Sequence, residues 1–159
     1  MKPIKLISLV VLFMITFGAC NQNQDSNDLS KLEEDFRKSI SGVTLVGHFT
    51  LGENSNLREE KYTIKKVSKI SGSIWLFQVR IQYGSNDVTV PLPLNVKWAG
   101  DTPIITLTDL SIPGLGTYTA RVLIYRDQYA GTWSAEEIKG QLFGRIVREQ
   151  TSSNANSEN

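Results

Sequence analysis

The sequence predicts an all-β domain in which an antiparallel meander of about eight strands forms a small closed or partly open barrel, preceded by one short helix. Three observations support this fold class. Apolar and polar residues alternate with a period of two over most of residues 42–148, which is the pattern of half-buried strands. Turn-forming Gly, Pro, Asn and Asp interrupt that stretch at short intervals, as in strands joined sequentially by tight turns. An apolar stripe with helical spacing precedes the strands.

The amino-terminal segment 1–19 has the composition of a secretory signal peptide. Lys2 and Lys5 precede the apolar run 6–17, and two small residues follow that run. As a helix the run would be roughly 18 Å long at about 1.5 Å per residue, whereas the hydrocarbon layer of a bilayer is roughly 30 Å thick. We therefore expect a leader that is removed rather than a membrane span.

The junction Phe17-Gly18-Ala19-Cys20 resembles the lipobox of bacterial lipoproteins, in which a large apolar residue and two small ones precede an invariant cysteine. In that family the cysteine sulfur receives a diacylglycerol, the leader is cut just before the cysteine, and the new amino group usually receives a fatty acid such as palmitate. The resemblance implies that lipidated Cys20 is the first mature residue and the contact with the membrane, since two or more acyl chains anchor a protein stably. Asn21 resembles the pattern that sorts lipoproteins of enteric bacteria to the outer membrane, which implies a cell-envelope protein facing the periplasm. The alternative is an ordinary secreted protein with a spare thiol.

Two polar segments flank the expected folded part. Residues 20–28 predict a flexible tether and residues 149–159 a disordered tail, because neither has enough apolar side chains to repay the entropy of ordering. Charge is nearly balanced in the mature chain, since the leader removes two of the 17 basic residues and none of the 16 acidic ones. This balance provides no strong field for nucleic acid, which is therefore not an expected partner.

A helix is predicted for residues 29–41. One apolar stripe has the helical spacing of three and four, formed by Leu29, Leu32, Phe36 and Ile40. Ser30 with Glu33 has the spacing of a capping box, and Gly42 stands where helices commonly end. Because so short a helix is marginal alone, we expect the stripe to cover one end of the barrel or one sheet face. A partner-binding or membrane-surface helix is the alternative.

The β domain, residues 42–148, contains one sequence that opposes complete closure of a barrel. In the segment 90–94 two prolines, Pro91 and Pro93, are two residues apart. Backbone N–H groups at that spacing point to the same side of a strand, and proline has none to donate. We therefore expect this strand at a sheet edge or at a seam where the barrel is only partly paired.

The strand with the longest alternation provides the candidate ligand-binding residues. One of its faces carries large apolar side chains, which are Trp75, Phe77, Val79, Ile81 and Tyr83. If they line a cavity, the protein binds a small apolar ligand without enzymatic activity, as barrels of this size can. If they fill the interior completely, the alternative is an interaction protein that engages another envelope protein through its outer face or its proline-bearing edge.

Enzymatic, metal and cofactor chemistry has little support in the sequence. The single histidine, His48, and the single cysteine cannot form an ordinary metal site or a nucleophile–base pair, so we expect no metal and no cofactor. A third hypothesis, hydrolysis of an envelope glycan, needs two carboxylates about 5 to 10 Å apart, and Asp101 with Asp127 is the candidate pair. Turn formation is the simpler role for the acidic residues near predicted turns, which are Asp87, Asp101, Asp109 and Asp127.

Three segments, Gly47–Gly52, Trp98–Pro103 and Tyr129–Trp133, give most of the β domain a resemblance to a family of uncharacterised bacterial exported proteins. The resemblance implies a compact exported domain and implies no activity. It agrees with the location outside the cytoplasm that the leader predicts.

Overall fold

A computed structural model describes residues 22–52 and 54–148 of the chain. Within them one helix is followed by eight strands, which are α1 Gln22–Ile40, β1 Val43–Leu51, β2 Asn54–Ser71, β3 Ile74–Tyr83, β4 Asn86–Ala99, β5 Thr102–Ile112, β6 Gly116–Tyr125, β7 Gln128–Ala135 and β8 Ile138–Arg148. Each strand pairs in antiparallel fashion with the next in sequence, and β8 pairs with β1. The strands form a closed barrel, which confirms the predicted fold class.

Alternation along the strands separates an apolar interior from a polar outer surface. In β3 the exposed Gln78 and Arg80 alternate with buried residues, which are Trp75, Phe77, Val79 and Ile81. The helix end of the barrel, on which α1 packs, carries the β2–β3, β4–β5 and β6–β7 connections. The opposite end, called the open end below, carries the β1–β2, β3–β4, β5–β6 and β7–β8 connections.

Helix α1 covers the helix end through Phe36 and Ile40, whose side chains are 4% and 1% exposed. The Phe36 ring makes edge-to-face contacts with the rings of Trp75 and Trp98, at centroid distances of 5.4 and 5.8 Å. Phe36 and Ile40 of the predicted apolar stripe therefore pack over one end of the barrel, as expected, whereas Leu29 of the same stripe is 43% exposed.

The helix begins at Gln22, earlier than predicted, so residues 22–28, which were expected to be a flexible tether, are helical. Ser30 consequently lies inside the helix, where its hydroxyl donates to a backbone carbonyl one turn earlier, and Glu33 pairs with Lys69 of β2. The predicted capping box is therefore wrong. Once a packed turn has nucleated a helix, each further residue adds a hydrogen bond, and this extends α1 into the polar residues that precede its packed part.

Strands β4 and β5 pair over only part of their length. Their register joins Asn95–Ala99 of β4 to Thr102–Thr106 of β5. Among the described residues, the earlier part of β4 and the later part of β5 have no backbone pairing across this junction. The barrel is therefore closed by a continuous ladder at the helix end and split by a seam toward the open end.

Pro91 and Pro93 lie in the part of β4 that borders this seam. The Val96 N–H donates to the Ser73 carbonyl, beside β3, at 2.8 Å. Because backbone groups alternate along a strand, the two proline nitrogens face the opposite side, toward β5. Proline has no N–H to donate there, which confirms the predicted partly paired seam and gives its cause.

Gly47 of β1 and Gly144 of β8 are paired in register at a point where the interior leaves no space for a side chain. A Cβ atom on Gly47 would collide with the Phe143 carbonyl and the Tyr129 hydroxyl, and one on Gly144 would lie 2.6 Å from the Tyr129 ring. The two glycines therefore form a trough in the interior wall that holds the Tyr129 ring.

We expect Gly47→Ala to lower the free energy of unfolding by about 3 kcal/mol, because the added methyl group overpacks the interior and displaces the Tyr129 ring. The same change at Gly100, in the β4–β5 turn, meets no atom within 4 Å. It should cost about 1 to 2 kcal/mol through its positive φ alone. Urea unfolding of both variants measures the difference, and equal losses would contradict the trough.

Candidate functional site

The barrel contains a cavity of about 360 Å³, whose wall includes side chains from all eight strands. Most of these side chains are aliphatic or aromatic. The cavity extends to the open end, where Leu51, Leu115 and Ile138 border it beside the strand connections. Its volume falls within the range of about 300 to 1,000 Å³ that is typical of small-molecule sites, so the interior is not fully packed.

The structure places four of the five predicted ligand-binding residues in the cavity wall, which are Phe77, Val79, Ile81 and Tyr83. Trp75 lies outside it, because the same face of β3 runs from the helix end to the open end and Trp75 is its first residue. There the Trp75 ring is 2% exposed and packs against Phe36 of α1. That these residues bind a ligand stays a prediction.

Glu60 of β2 is the one charged side chain that is buried among the described residues, with 4% of its surface exposed. The Tyr62 hydroxyl donates to its Oε2 atom at 2.7 Å, and the Tyr129 hydroxyl donates to its Oε1 atom at 2.9 Å. All three residues line the cavity. The cavity therefore combines an apolar wall with one carboxyl group whose two oxygens each accept a tyrosine hydrogen bond.

The register of the barrel explains how Tyr129 reaches Glu60 from a strand that is not its neighbour. Tyr129, Gly144, Gly47 and Glu60 are successive partners across β7, β8, β1 and β2. Because the two intermediate positions lack side chains, the Tyr129 ring lies across them and its hydroxyl meets the carboxylate. Two glycines thus position a hydrogen-bond donor inside the cavity.

Sequence analysis did not identify Glu60, although a signal for it exists. Glu60 is in phase with Tyr62 and Ile64 on the inward face of β2, and a charged residue on the apolar face of a strand is an informative exception. The run of charged residues around it, from Arg58 to Lys69, has the appearance of a solvated strand face and obscures that phase.

Burial raises the pKa of Glu60 above its ordinary value of 4.5, and the hydrogen bonds from Tyr62 and Tyr129 together with the charge of His48 offset part of that rise. Burial also raises the pKa of both tyrosine hydroxyls, and the nearby Glu60 carboxylate adds to that rise. Both hydroxyl groups are therefore protonated donors at neutral pH.

Two further polar features lie toward the open end. Arg58 borders the cavity while its side chain is exposed. The hydroxyl oxygens of Tyr83 and Tyr118 are 2.9 Å apart, and the Tyr118 hydroxyl donates to the Leu115 carbonyl at 3.0 Å. Since Tyr118 has one hydrogen to donate, Tyr83 is the donor within the tyrosine pair, and it links β3 to β6 across the interior.

The four acidic residues that were predicted near turns have polar partners at the surface. These partners are Arg80 for Asp87, Thr102 for Asp101, Thr119 for Asp109 and Arg148 for Asp127. Asp101 and Asp127, the candidate hydrolase pair, lie in turns at the helix end and do not border the cavity. Asp101 and Asp127 therefore lie in turns as predicted, whereas Asp87 and Asp109 lie within β4 and β5. The hydrolase hypothesis gains no support from the cavity.

Other predicted features lie on the outer face or outside the described residues. His48 faces outward, with its ring centroid 6.3 Å from that of Phe143, and Cys20 lies outside the described residues. Within residues 22–52 and 54–148, no group of three or more His, Cys, Asp or Glu side chains is arranged to hold a metal ion. In the same part of the chain, no helix has both the length and the apolarity to cross a membrane.

Comparisons of this chain with protein-family models, with curated proteins and with solved structures found no match. The resemblances to bacterial lipoproteins and to exported bacterial proteins therefore stay predictions. The cavity and its carboxyl group are the basis for the function proposed below.

We expect the protein to lose stability relative to its Glu60→Gln variant as the pH rises above about 4.5, the ordinary pKa of the carboxyl group. Below the ordinary pKa of 4.5, Glu60 is protonated in both the folded and the unfolded chain. As the pH rises through the higher pKa of the folded state, the folded chain must ionise a buried group that the unfolded chain ionises freely, so stability is lost. Urea unfolding at several pH values measures this divergence.

The matched control for this experiment is Glu59→Gln, which makes the same change at an exposed position of the same strand. Its stability should follow that of the wild-type protein across the pH range. A constant difference between Glu60→Gln and the wild type would show that Glu60 is not a buried acid in solution.

Proposed function

We propose that the protein is a lipid-anchored binding protein of the bacterial cell envelope that holds a small apolar molecule inside its barrel, without enzymatic activity. The observation that carries the proposal is the cavity of about 360 Å³ with a mainly apolar wall. Protein interiors rarely contain voids larger than a water molecule, so a space of this size is far more than imperfect packing leaves. The inward side chains do not fill the interior. They surround an empty space in which a ligand can bind.

The two ends of the barrel support binding from one direction. At the helix end, Phe36 and Ile40 of α1 are buried against the strands and close the interior. At the open end, Ile138 borders the cavity and is 48% exposed, and no helix of the described chain lies over it. A ligand therefore reaches the cavity through the open end.

A dye that fluoresces in apolar surroundings tests this proposal. Ala120 of β6 borders the cavity, whereas Ala130 of the neighbouring β7 is exposed on the outer surface. We expect the wild-type protein to bind N-phenylnaphthylamine and Ala120→Leu to bind it about tenfold more weakly, because the larger side chain occupies space that the dye needs. Ala130→Leu, the matched control, should bind the dye like the wild type.

Two results of the dye titration would contradict the cavity as a binding site. One is an absence of dye binding by folded wild-type protein. The other is an equal loss of affinity in Ala120→Leu and Ala130→Leu, which would place the dye on the outer surface.

The membrane anchor is supported by the sequence before the described residues. The leader-like segment 1–19 and the lipobox-like junction ending at Cys20 are the features that lead to acylation in bacterial lipoproteins. An anchored chain would keep the barrel in the envelope, next to the acyl chains and amphiphiles that its cavity suits. The anchor and the cavity therefore fit together, because the anchor would hold the barrel close to the kind of molecule that the cavity suits.

Mass spectrometry of the full-length protein produced in a bacterium tests the anchor. We expect a mature chain that begins at Cys20, exceeds the polypeptide mass by its acyl groups and fractionates with the outer membrane. Cys20→Ser should gain no acyl mass. A wild-type protein recovered from the soluble fraction with an unmodified thiol would overturn the anchor.

A second candidate function is binding of another envelope protein, which apolar residues on the outer surface favour. Leu123, Ala130 and Phe143 are register partners across β6, β7 and β8, and all three are exposed. Exposed apolar patches commonly mark interaction sites. The dye titration distinguishes the two candidates, because a partner bound on the outer face requires no ligand in the cavity.

A further inference from the structure

We propose that the cavity is selective for an aliphatic molecule with a protonated amine at one end, and that Glu60 binds this ammonium group. This inference rests on the proposed function, since it concerns which apolar molecule the cavity holds. Its basis is the charge and the hydrogen bonding of the cavity wall.

When Glu60 is ionised, no ammonium or guanidinium group of the described residues forms an ion pair with it. Its hydrogen-bond partners are the hydroxyl groups of Tyr62 and Tyr129, which are neutral donors. His48, whose charge acts on Glu60, lies on the outer face of β1, and Arg58 is exposed at the cavity border. An ionised carboxylate in an apolar interior is costly unless a cation lies against it, so a cationic ligand group gains more here than in water.

The carboxylate also has unused acceptor capacity. An ionised carboxyl group offers about four lone-pair sites, and the two tyrosines occupy one on each oxygen. An ammonium group has three N–H donors and no acceptor, so it matches the remaining sites. The tyrosine hydrogens are committed to Glu60, so Glu60 and its two tyrosines present acceptors to a ligand and no free donor. Two other donors border the cavity, the Trp133 indole N–H, which has no partner among the described residues, and Arg58, so the preference for an ammonium group arises at Glu60 itself.

The cavity volume sets the length of the apolar part. A volume of about 360 Å³ is that of about twelve waters at about 30 Å³ each, which suits an unbranched chain of about ten carbons. Arg58 at the border of the cavity repels a cationic head that stays at the mouth. The preferred orientation therefore places the ammonium group inside, at Glu60, and the chain along the aliphatic and aromatic wall.

Displacement of N-phenylnaphthylamine by three molecules of equal chain length tests this selectivity. Decylamine is protonated at neutral pH, as a lysine side chain is, decanol is neutral and decanoic acid is an anion. We expect decylamine to displace the dye from the wild-type protein at a concentration about tenfold lower than decanol, and decanoic acid to be the weakest. Glu60→Gln should bind decylamine and decanol equally well, because the variant keeps the shape of the side chain and removes its charge.

The matched control is Glu59→Gln, which removes the same charge from the outer face of the same strand and should keep the preference for decylamine. If wild-type protein binds the dye but prefers decanol or decanoic acid, or if Glu60→Gln keeps the amine preference, the selectivity is overturned and the proposed function stands. If folded wild-type protein does not bind the dye, the proposed function fails together with the selectivity. The wild-type comparison decides the question even where Glu60→Gln does not fold.

Discussion

The interior of this barrel depends on the absence of side chains at Gly47 and Gly144. Their paired positions leave a trough in which the Tyr129 ring lies, and the ring carries its hydroxyl to Glu60 on β2, a strand that does not pair with β7. Without that donor, one oxygen of a buried carboxyl group would lack its protein partner, which is costly in an apolar interior. Backbone geometry, a polar contact and the chemical character of the cavity are therefore fixed by the same four residues.

The helix divides the interior into a packed part and an empty part. Near α1, the Phe36 ring contacts the rings of Trp75 and Trp98 edge to face, and Val67 is completely buried. Beyond this cluster the cavity begins, although Tyr83 and Tyr118 still meet across the interior through their hydroxyl groups. A single short helix thus supplies the apolar surface that closes one end and leaves the remaining volume accessible from the other.

Much of the fold could be predicted because it follows from the alternation of side chains along each strand. A period of two determines which residues face inward, and proline removes a specific backbone donor, so both the barrel and its seam could be derived locally. The β7–β8 turn was harder, since Glu136 takes a positive φ of 53° at a position without the Gly, Asn or Asp that usually marks such a turn. The start of the helix also differed from the prediction, because helical hydrogen bonding continues toward the amino terminus beyond the part of α1 that packs on the barrel.

The candidate site was less predictable than the fold. Glu60 has the inward phase, yet charged neighbours on the same strand conceal it, and only the register across four strands shows why a carboxyl group is tolerated there. The volume of the cavity depends on how far all the inward side chains extend toward the barrel axis. No local sequence pattern carries this information. The same holds for Trp75. Its inward direction could be predicted from the alternation along β3, but its position at the helix end, where it packs under α1, could not.

The seam between β4 and β5 has a mechanical consequence. Elsewhere in the barrel, neighbouring strands separate only if their ladder of backbone hydrogen bonds breaks. Beyond Asn95 and Thr106 these two strands share no such ladder, and Pro91 and Pro93 cannot supply one. The circumference is therefore more compliant along this line than where a ladder of hydrogen bonds joins the strands. If the proposed function is right, ligands of different width would change the spacing of β4 and β5 before that of other strand pairs.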